Sequence, residues 1–148
     1  MPKIYQAGPL FSQAERTWHG TFKQRLEDAG HTVIWPGDLI EQASVDAWGK
    51  EAPRKIMEID RDALLSCDVV VALLDGTQVD DGTAWEIGYA CAKGIPVVGI
   101  RTDFRNGGDT GHSAVNAMIE GSVVGIAHTM DEVLWQLKAL DLPQRQAD

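Results

Sequence analysis

The fold is decided by one apolar stretch and by the polar segment that follows it. Residues 68–75 have the sequence DVVVALLD, and residues 80–90 have the sequence DDGTAWEIGYA. An unbroken apolar run between two aspartates is typical of a strand that is buried on both faces, as strands of parallel sheets are. The second segment sets three carboxylates beside a glycine at the start of a predicted helix. Such a segment suits a ligand site better than a core.

Strands and helices alternate on both sides of these segments. The predicted strands are residues 3–7, 31–35, 68–75, 95–100 and 122–127. The predicted helices are residues 12–29, 53–66, 83–93, 113–120 and 130–140, while residues 38–50 and 103–109 are predicted to be irregular. This alternation predicts an α/β fold, a doubly wound five-stranded parallel sheet of the flavodoxin or Rossmann-like type with strand order 2-1-3-4-5. We expect a single domain over residues 1–141 and a C-terminal tail over residues 142–148.

Composition excludes several classes of protein. The net charge of -9 and the pI near 4.8 argue against a nucleic-acid partner, which needs a basic surface. The sequence has no signal-peptide pattern and no apolar run near the roughly 20 residues of a membrane span. Cys67 and Cys91 lack redox or metal-ligand spacing, and we expect both to be buried thiols in a reducing compartment. The predicted protein is cytoplasmic, with no metal, cofactor or membrane partner.

The predicted topology places a ligand cleft at the carboxyl ends of the first and third strands, where the strand order reverses. One wall is the turn of residues 8–11, which includes Gly8 and Phe11. The other wall is the segment of residues 75–86, which includes Asp81 and Gly82. The carboxylates therefore fall where the fold would bind a ligand.

Glu86 has two interpretations. Thr83 and Glu86 fit a capping box, in which the glutamate accepts a backbone N–H at the helix start. The same carboxylate, held ionised by the helix dipole, could instead attack an electrophilic carbon as in retaining glycosidases. A second carboxyl must then handle the proton of the leaving group, and Asp80 and Asp60 are the candidates. Their alternative roles are a solvated turn residue and a solvated helix acid.

Other proteins of this fold class fit the sequence less well. A flavodoxin needs a glycine- and hydroxyl-rich phosphate loop after the first strand, and Pro9 removes a donor there. A phosphoacceptor receiver domain would match Asp75 at the end of the third strand, but it needs an acidic pair where Tyr5 and Gln6 stand. No G-x-G-x-x-G dinucleotide fingerprint is present.

Three segments together resemble the nucleoside 2-deoxyribosyltransferase family. They are IYQAGPLF at residues 4–11, DDGTAWEIGYA at residues 80–90 and NAM at residues 116–118. The sequence DRD at residues 60–62 lies at the corresponding place between the first two segments. The resemblance implies an enzyme of nucleoside salvage that transfers 2-deoxyribose between nucleobases through a covalent deoxyribosyl-glutamate. Its substrates would be small-molecule deoxyribonucleosides and free nucleobases.

The resemblance also implies residue roles. Glu86 would be the nucleophile and Tyr5 the hydroxyl donor that orients it, while Asp80 and Asp60 would contact the base and manage its proton. Gly8, Phe11, Asp81 and Gly82 would line the substrate pocket. Asn116 and Met118 would be lent by a neighbouring subunit, so the protein would be a homo-oligomer, dimer-based and tetrameric or hexameric in some forms, with shared active sites.

Two alternatives stay open at this point. One is an N-glycoside hydrolase acting on nucleosides or on nucleoside 5′-monophosphates with water as acceptor. A monophosphate enzyme needs a phosphate cradle near the first strand, where this chain offers Ser12 and no arginine before Arg16. The other alternative is a non-catalytic nucleotide-binding module in which Glu86 only caps a helix.

Overall fold

The computed structural model describes residues 1–142 of the chain and contains a five-stranded parallel sheet of order β2-β1-β3-β4-β5. The strands are β1 (Lys3–Ala7), β2 (Thr32–Ile34), β3 (Val69–Leu73), β4 (Val97–Ile100) and β5 (Gly125–Ala127). The helices are α1 (Gln13–Asp28), α2 (Gln42–Trp48), α3 (Ala52–Leu65), α4 (Asp81–Ala92), α5 (Ala117–Glu120) and α6 (Met130–Ala139). The predicted fold class and strand order are confirmed.

Helices cover both faces of the sheet and form two cores. One core joins Ile4, Val71 and Ile100 of the strands to residues of α1 and α6, among them Phe22 and Leu137. The other core lies on the opposite face and includes the following buried residues: Tyr5, Leu64, Val70, Leu74, Ile87 and Ala90. All five residues of β3 are buried, as expected for the central strand of such a sheet.

Alternation along β1 determines which side chains reach the site. Successive residues of a strand point to opposite faces, so Tyr5 projects toward α3 and α4 while Gln6 projects toward α1. Tyr5 pairs in register with Ile34 of β2 and Val70 of β3, which fixes its ring between two neighbouring strands. Both side chains are fully buried.

The structure corrects several predicted elements. Residues 38–50 are not irregular, because they contain α2, flanked by 3₁₀ turns at Pro36–Asp38 and Gly49–Glu51. The predicted helix at residues 113–120 begins only at residue 117, since the side chain of Asn116 accepts a hydrogen bond from the Met118 N–H and caps it there. The last predicted strand shortens to Gly125–Ala127.

Two further expectations concern the cysteines and the chain end. Cys67 is buried as predicted, but Cys91, in the last turn of α4, is exposed. Leu142 packs against the core of α1 and α6, and the rest of the predicted tail, residues 143–148, lies outside the described residues. Within residues 1–142, every helix is too short or too polar to cross a membrane.

Candidate active site

The site centres on a hydrogen bond between two side chains that are distant in sequence. The Tyr5 hydroxyl donates to Oε1 of Glu86 across 2.6 Å. Tyr5 comes from β1, and Glu86 comes from the inward face of α4, where Thr83 and Ile87 are also buried. Burial, followed by the charge of Glu86, raises the pKa of Tyr5 far above its usual range, so the phenol keeps its proton and acts as a donor.

The start of α4 corrects the capping-box interpretation. The helix begins at Asp81, and Asp80 is its cap, because the Asp80 carboxylate accepts from the N–H and the hydroxyl of Thr83, both at 2.9 Å. Glu86 therefore lies in the second turn, where the helix dipole acts weakly, and its carboxylate binds a phenol instead of a backbone N–H. The cap role predicted for Thr83 and Glu86 is wrong.

Electrostatics separate the carboxylates of this region. The pKa of Glu86 is raised to about 7, mainly by burial; the hydrogen bond from Tyr5 opposes this rise, and the charges of Asp60 and Asp80 add to it. Burial alone raises the pKa of Asp60 to about 6. Within the described residues, the buried Oδ1 of Asp60 has no hydrogen-bond partner. Two carboxyls thus hold or release protons near neutral pH beside one phenol donor.

Asp60, whose charge acts on Glu86 and Tyr5, lines a cleft of about 600 Å³, whereas Tyr5 and Glu86 themselves are not among its lining residues. Ile56 lies four residues earlier on the same face of α3 and lines the cleft with it. The other apolar walls come from the turn after β1, from the segment after β2 and from α2: Leu10, Phe11, Pro36, Ile40 and Val45. Phe11 is 81% exposed, an unusual state for a phenylalanine, and stands at the cleft rim. The volume and apolar lining suit an aromatic base.

The backbone of Gly8 lies so close to a buried histidine ring that a side chain would not fit there. A Cβ at Gly8 would lie 2.6 Å from Cε1 and Nε2 of the buried His19 ring. The Gln6 amide nitrogen holds that ring, since it lies 2.8 Å from Nδ1 and 2.9 Å from the His19 carbonyl oxygen. Because that carbonyl can only accept, the amide donates, which leaves Nδ1 as acceptor and places the proton on Nε2. Burial lowers the pKa of His19 to about 4, so the ring is neutral.

The remaining predicted residues are dispersed. Asp81 is exposed and accepts from the Gly82 N–H, so it points to solvent beside the cap. Asn116 lines a separate cavity of about 260 Å³, together with Arg101 and Asp109. Its amide donates to Asp109 across 3.1 Å. Met118 is 79% exposed, so the structure brings neither Asn116 nor Met118 to the cleft of this chain.

Sequence reasoning missed two polar residues of the cleft, Arg16 and Gln42. Arg16 is in the first turn of α1, and its position directly after the β1 turn was the available signal. Gln42 lies in the segment predicted to be irregular, which gave no signal. Among residues 1–142, no group of three or more His, Cys, Asp or Glu side chains is placed to bind a metal ion.

The chain is similar to a family model and to a curated protein. A family model described as nucleoside 2-deoxyribosyltransferase matches residues 4–118. An uncharacterised protein of Schizosaccharomyces pombe is 36% identical over 110 residues, which cover 71% of this chain and 52% of that protein. The chain therefore spans about half the length of this curated relative.

Solved structures share the whole fold. A conserved protein from Enterococcus faecalis is 30% identical with a TM-score of 0.76, covering 94% of this chain and 98% of that one. A 2-deoxyribosyltransferase from Bacillus psychrosaccharolyticus is 26% identical with a TM-score of 0.70, covering 88% and 89%. A CMP N-glycosidase from Clostridium botulinum, 21% identical with a TM-score of 0.59 and covering 92% and 98%, shares the fold. The chain belongs to the nucleoside 2-deoxyribosyltransferase family.

Proposed function

We propose that the protein transfers 2-deoxyribose between nucleobases by double displacement, with Glu86 as the nucleophile. The family supports chemistry at the N-glycosidic bond of nucleosides. The observation that carries the proposal is the Tyr5–Glu86 hydrogen bond of 2.6 Å, made by a fully buried phenol to a carboxylate of raised pKa. A carboxylate held in this way has a fixed orientation and stays partly ionised at neutral pH, as a nucleophile must.

In the first half-reaction, Glu86 attacks C1′ of a deoxyribonucleoside while the bond from C1′ to the base nitrogen breaks. Tyr5 binds Oε1, which leaves Oε2 as the attacking atom. The base leaves with the bonding electron pair and takes up one proton. Positive charge develops on the sugar in the transition state, and a sugar without a 2′-hydroxyl tolerates that charge more easily.

Asp60 is the favoured donor of that proton. Asp80 is occupied as a helix cap, and Asp81 is turned to solvent. Asp60 lines the cleft, has no partner for Oδ1 among the described residues and has a pKa raised to about 6. The productive state holds one proton on Asp60 and none on Glu86. Mutual repulsion favours a single proton on the pair, and the higher pKa of Glu86 makes this the less populated of the two singly protonated arrangements.

In the second half-reaction, a nitrogen of an incoming base attacks C1′ and releases the Glu86 carboxylate. The incoming base gives its proton to Asp60, which restores the starting state. Transfer instead of hydrolysis requires that water be kept from the covalent intermediate, and the apolar walls of the cleft contribute to that exclusion.

One incubation tests the reaction. The protein is mixed with deoxyinosine, with and without adenine, and the products are separated by chromatography. Deoxyadenosine formed only with adenine supports transfer. Hypoxanthine released at the same rate with or without adenine would support hydrolysis instead, and an unchanged mixture would contradict both enzymatic functions and favour a binding module.

We further propose that a neighbouring subunit completes the site with Asn116 and Met118. Both side chains are exposed in this chain and do not line its cleft. Mixing Glu86→Gln protein with Asn116→Ala protein should then restore activity, since hybrid sites combine intact residues from two chains. If the subunits exchange and no activity returns, the shared-site proposal is wrong.

A further inference from the structure

The cleft presents one fixed cation to whatever base it binds. Among the described residues that line it, Arg16, Gln42 and Asp60 are polar, and Arg16 is the cation. The Gln42 amide nitrogen already donates to Asp46 across 2.9 Å, which leaves its carbonyl oxygen as an acceptor. Besides the proton of Asp60 and the second amide hydrogen of Gln42, the hydrogen-bond donors of this cleft come from Arg16, against walls that are otherwise apolar.

The guanidinium of Arg16 is held in place from two sides. Its Nε donates to the Leu10 carbonyl oxygen across 3.0 Å, within the turn that forms the cleft rim. Its central carbon lies 5.9 Å from the ring centroid of Trp35, which is itself buried. An arginine that is anchored through Nε and lies near an aromatic face presents its two Nη groups as a fixed fork.

That fork has no partner among the residues that the structure describes. Within residues 1–142, the bond to Leu10 is the hydrogen bond that Arg16 makes, and no carboxylate pairs with its side chain. The Nη donors are thus available to a ligand in the cleft. A planar pair of donors matches a ligand edge that carries two neighbouring acceptors.

We propose that Arg16 selects the base and favours 6-oxopurines. Hypoxanthine and guanine present the acceptors O6 and N7 side by side, the edge that arginine binds with two hydrogen bonds. Adenine presents an amino group in place of O6, which turns one of those bonds into a repulsive donor–donor contact. A cleft of about 600 Å³ has room for a purine. This inference rests on the proposed function, because it assumes that the cleft binds bases.

Equilibrium binding of free bases tests the proposal without requiring turnover. Dissociation constants for hypoxanthine and adenine are measured by calorimetry on the wild type, Arg16→Met and Arg16→Lys. We expect the wild type to prefer hypoxanthine and Arg16→Met to lose roughly 10-fold to 100-fold in hypoxanthine affinity, with adenine little changed. Arg16→Lys keeps the charge without the fork and should fall between them. Arg54→Met is the matched control, since Arg54 pairs with Glu58 on an exposed face.

The outcomes separate this inference from the proposed function. Equal wild-type affinities for the two bases, or an equal loss for both in Arg16→Met, would overturn the selective role, because an arginine that only braces Leu10 would affect both alike. Deoxyribose transfer with a preference that does not depend on Arg16 refutes this inference alone. An Arg16-dependent preference without transfer supports it and refutes the transferase.

Discussion

Two groups of carboxylates occupy the same edge of the sheet and differ in how their charge is compensated. Beyond β3 and β4, Asp75 accepts from the backbone N–H groups of Thr102 and Asp103 at 2.6 and 3.0 Å and from the Thr102 hydroxyl. Asp103 is bound by Arg105, whose hydrogen bonds hold the pKa of that carboxyl below its usual range. We call Asp75 and Asp103 the compensated group.

Glu86 and Asp60 form the uncompensated group. Glu86 receives one phenol hydrogen bond, and Asp60 Oδ1 receives none within the described chain. Burial raises the pKa of both, to about 7 and about 6. The first group contributes to stability, whereas the second costs stability at neutral pH. Desolvated acids whose charge is poorly compensated mark the site, whereas the number of acidic residues in a region does not.

The largest expected effect is on turnover. Glu86→Gln keeps the shape of the side chain and removes the nucleophile, so deoxyribose transfer should fall by at least about 10⁴-fold. Initial rates with deoxyinosine and adenine measure it. Glu27→Gln, which alters an acid paired with Lys23 on α1, should retain the wild-type rate. Retained activity in Glu86→Gln would remove the distinction between the two groups.

Asp60→Asn tests whether the uncompensated group acts as a pair. The amide cannot supply the proton, so the rate should fall roughly 10²-fold to 10³-fold. The productive state needs a protonated Asp60, whose pKa is raised to about 6, so the basic limb of the kcat/KM profile should be lost in Asp60→Asn. A pH–rate profile measures both. Asp62→Asn, at an exposed acid next to Arg61, is the control, and an equal effect there would argue against a specific role.

Tyr5→Phe should shift the acid limb of the kcat/KM profile, which reports the ionisation of Glu86. The Tyr5 hydrogen bond lowers the pKa of Glu86, so its loss raises that pKa and the acid limb moves to higher pH. Losing one hydrogen bond to a charged group should cost roughly 10-fold to 100-fold in kcat. The phenyl ring still fills the core. Tyr89→Phe, at the tyrosine that stacks on Trp85, is the control and should change neither the acid limb nor kcat. A shift of the acid limb to lower pH in Tyr5→Phe would contradict the assigned hydrogen bond.

The smallest effects are on stability, and the two groups should respond with opposite signs. The folded pKa of Glu86, about 7, lies above its ordinary 4.5, so between these values the folded state holds a proton that the unfolded state has released. Stability is therefore lost as pH rises through this window. Glu86→Gln should be more stable than the wild type at pH 8 by about 1–3 kcal/mol and equal to it near pH 4.

Asp75→Asn should instead destabilise the protein by about 1–3 kcal/mol at neutral pH, because an amide cannot accept from all three donors. Urea unfolding of both variants at several pH values gives the comparison. If Glu86→Gln is destabilised at pH 8 as much as Asp75→Asn, the charge of Glu86 is as well compensated as that of Asp75, and the distinction between the two groups is wrong.

Much of the fold followed from the sequence because burial leaves a clear pattern. The apolar run of residues 69–74 predicts a strand that is buried on both faces, and Val69–Leu73 form the central strand. The start of α4 did not follow, since both Asp80 and Thr83 suit a cap, and only the fold shows that Asp80 binds Thr83. The seven-residue helix Gln42–Trp48 has weak local signals and a cap without a side-chain bond, so it was missed.

The site was predicted in part for a similar reason. The motifs around Tyr5 and Glu86 predicted their partnership, and the structure confirms the contact. The raised pKa of Glu86 could not be predicted, because it depends on the packing around the carboxylate and on the charge of Asp60, which lies on another helix, α3. Arg16 and Gln42 reach the cleft only through the arrangement of α1 and α2.

The central claim is that Glu86 carries the sugar during the reaction. Intact-protein mass spectrometry after rapid mixing with a deoxyribonucleoside, without an acceptor base, tests it most directly. We expect a mass increase of one deoxyribosyl group, located on the peptide that contains Glu86 and removed by added adenine. Product formation at a wild-type rate with no such adduct at any mixing time, or an adduct that persists in Glu86→Gln, would contradict it.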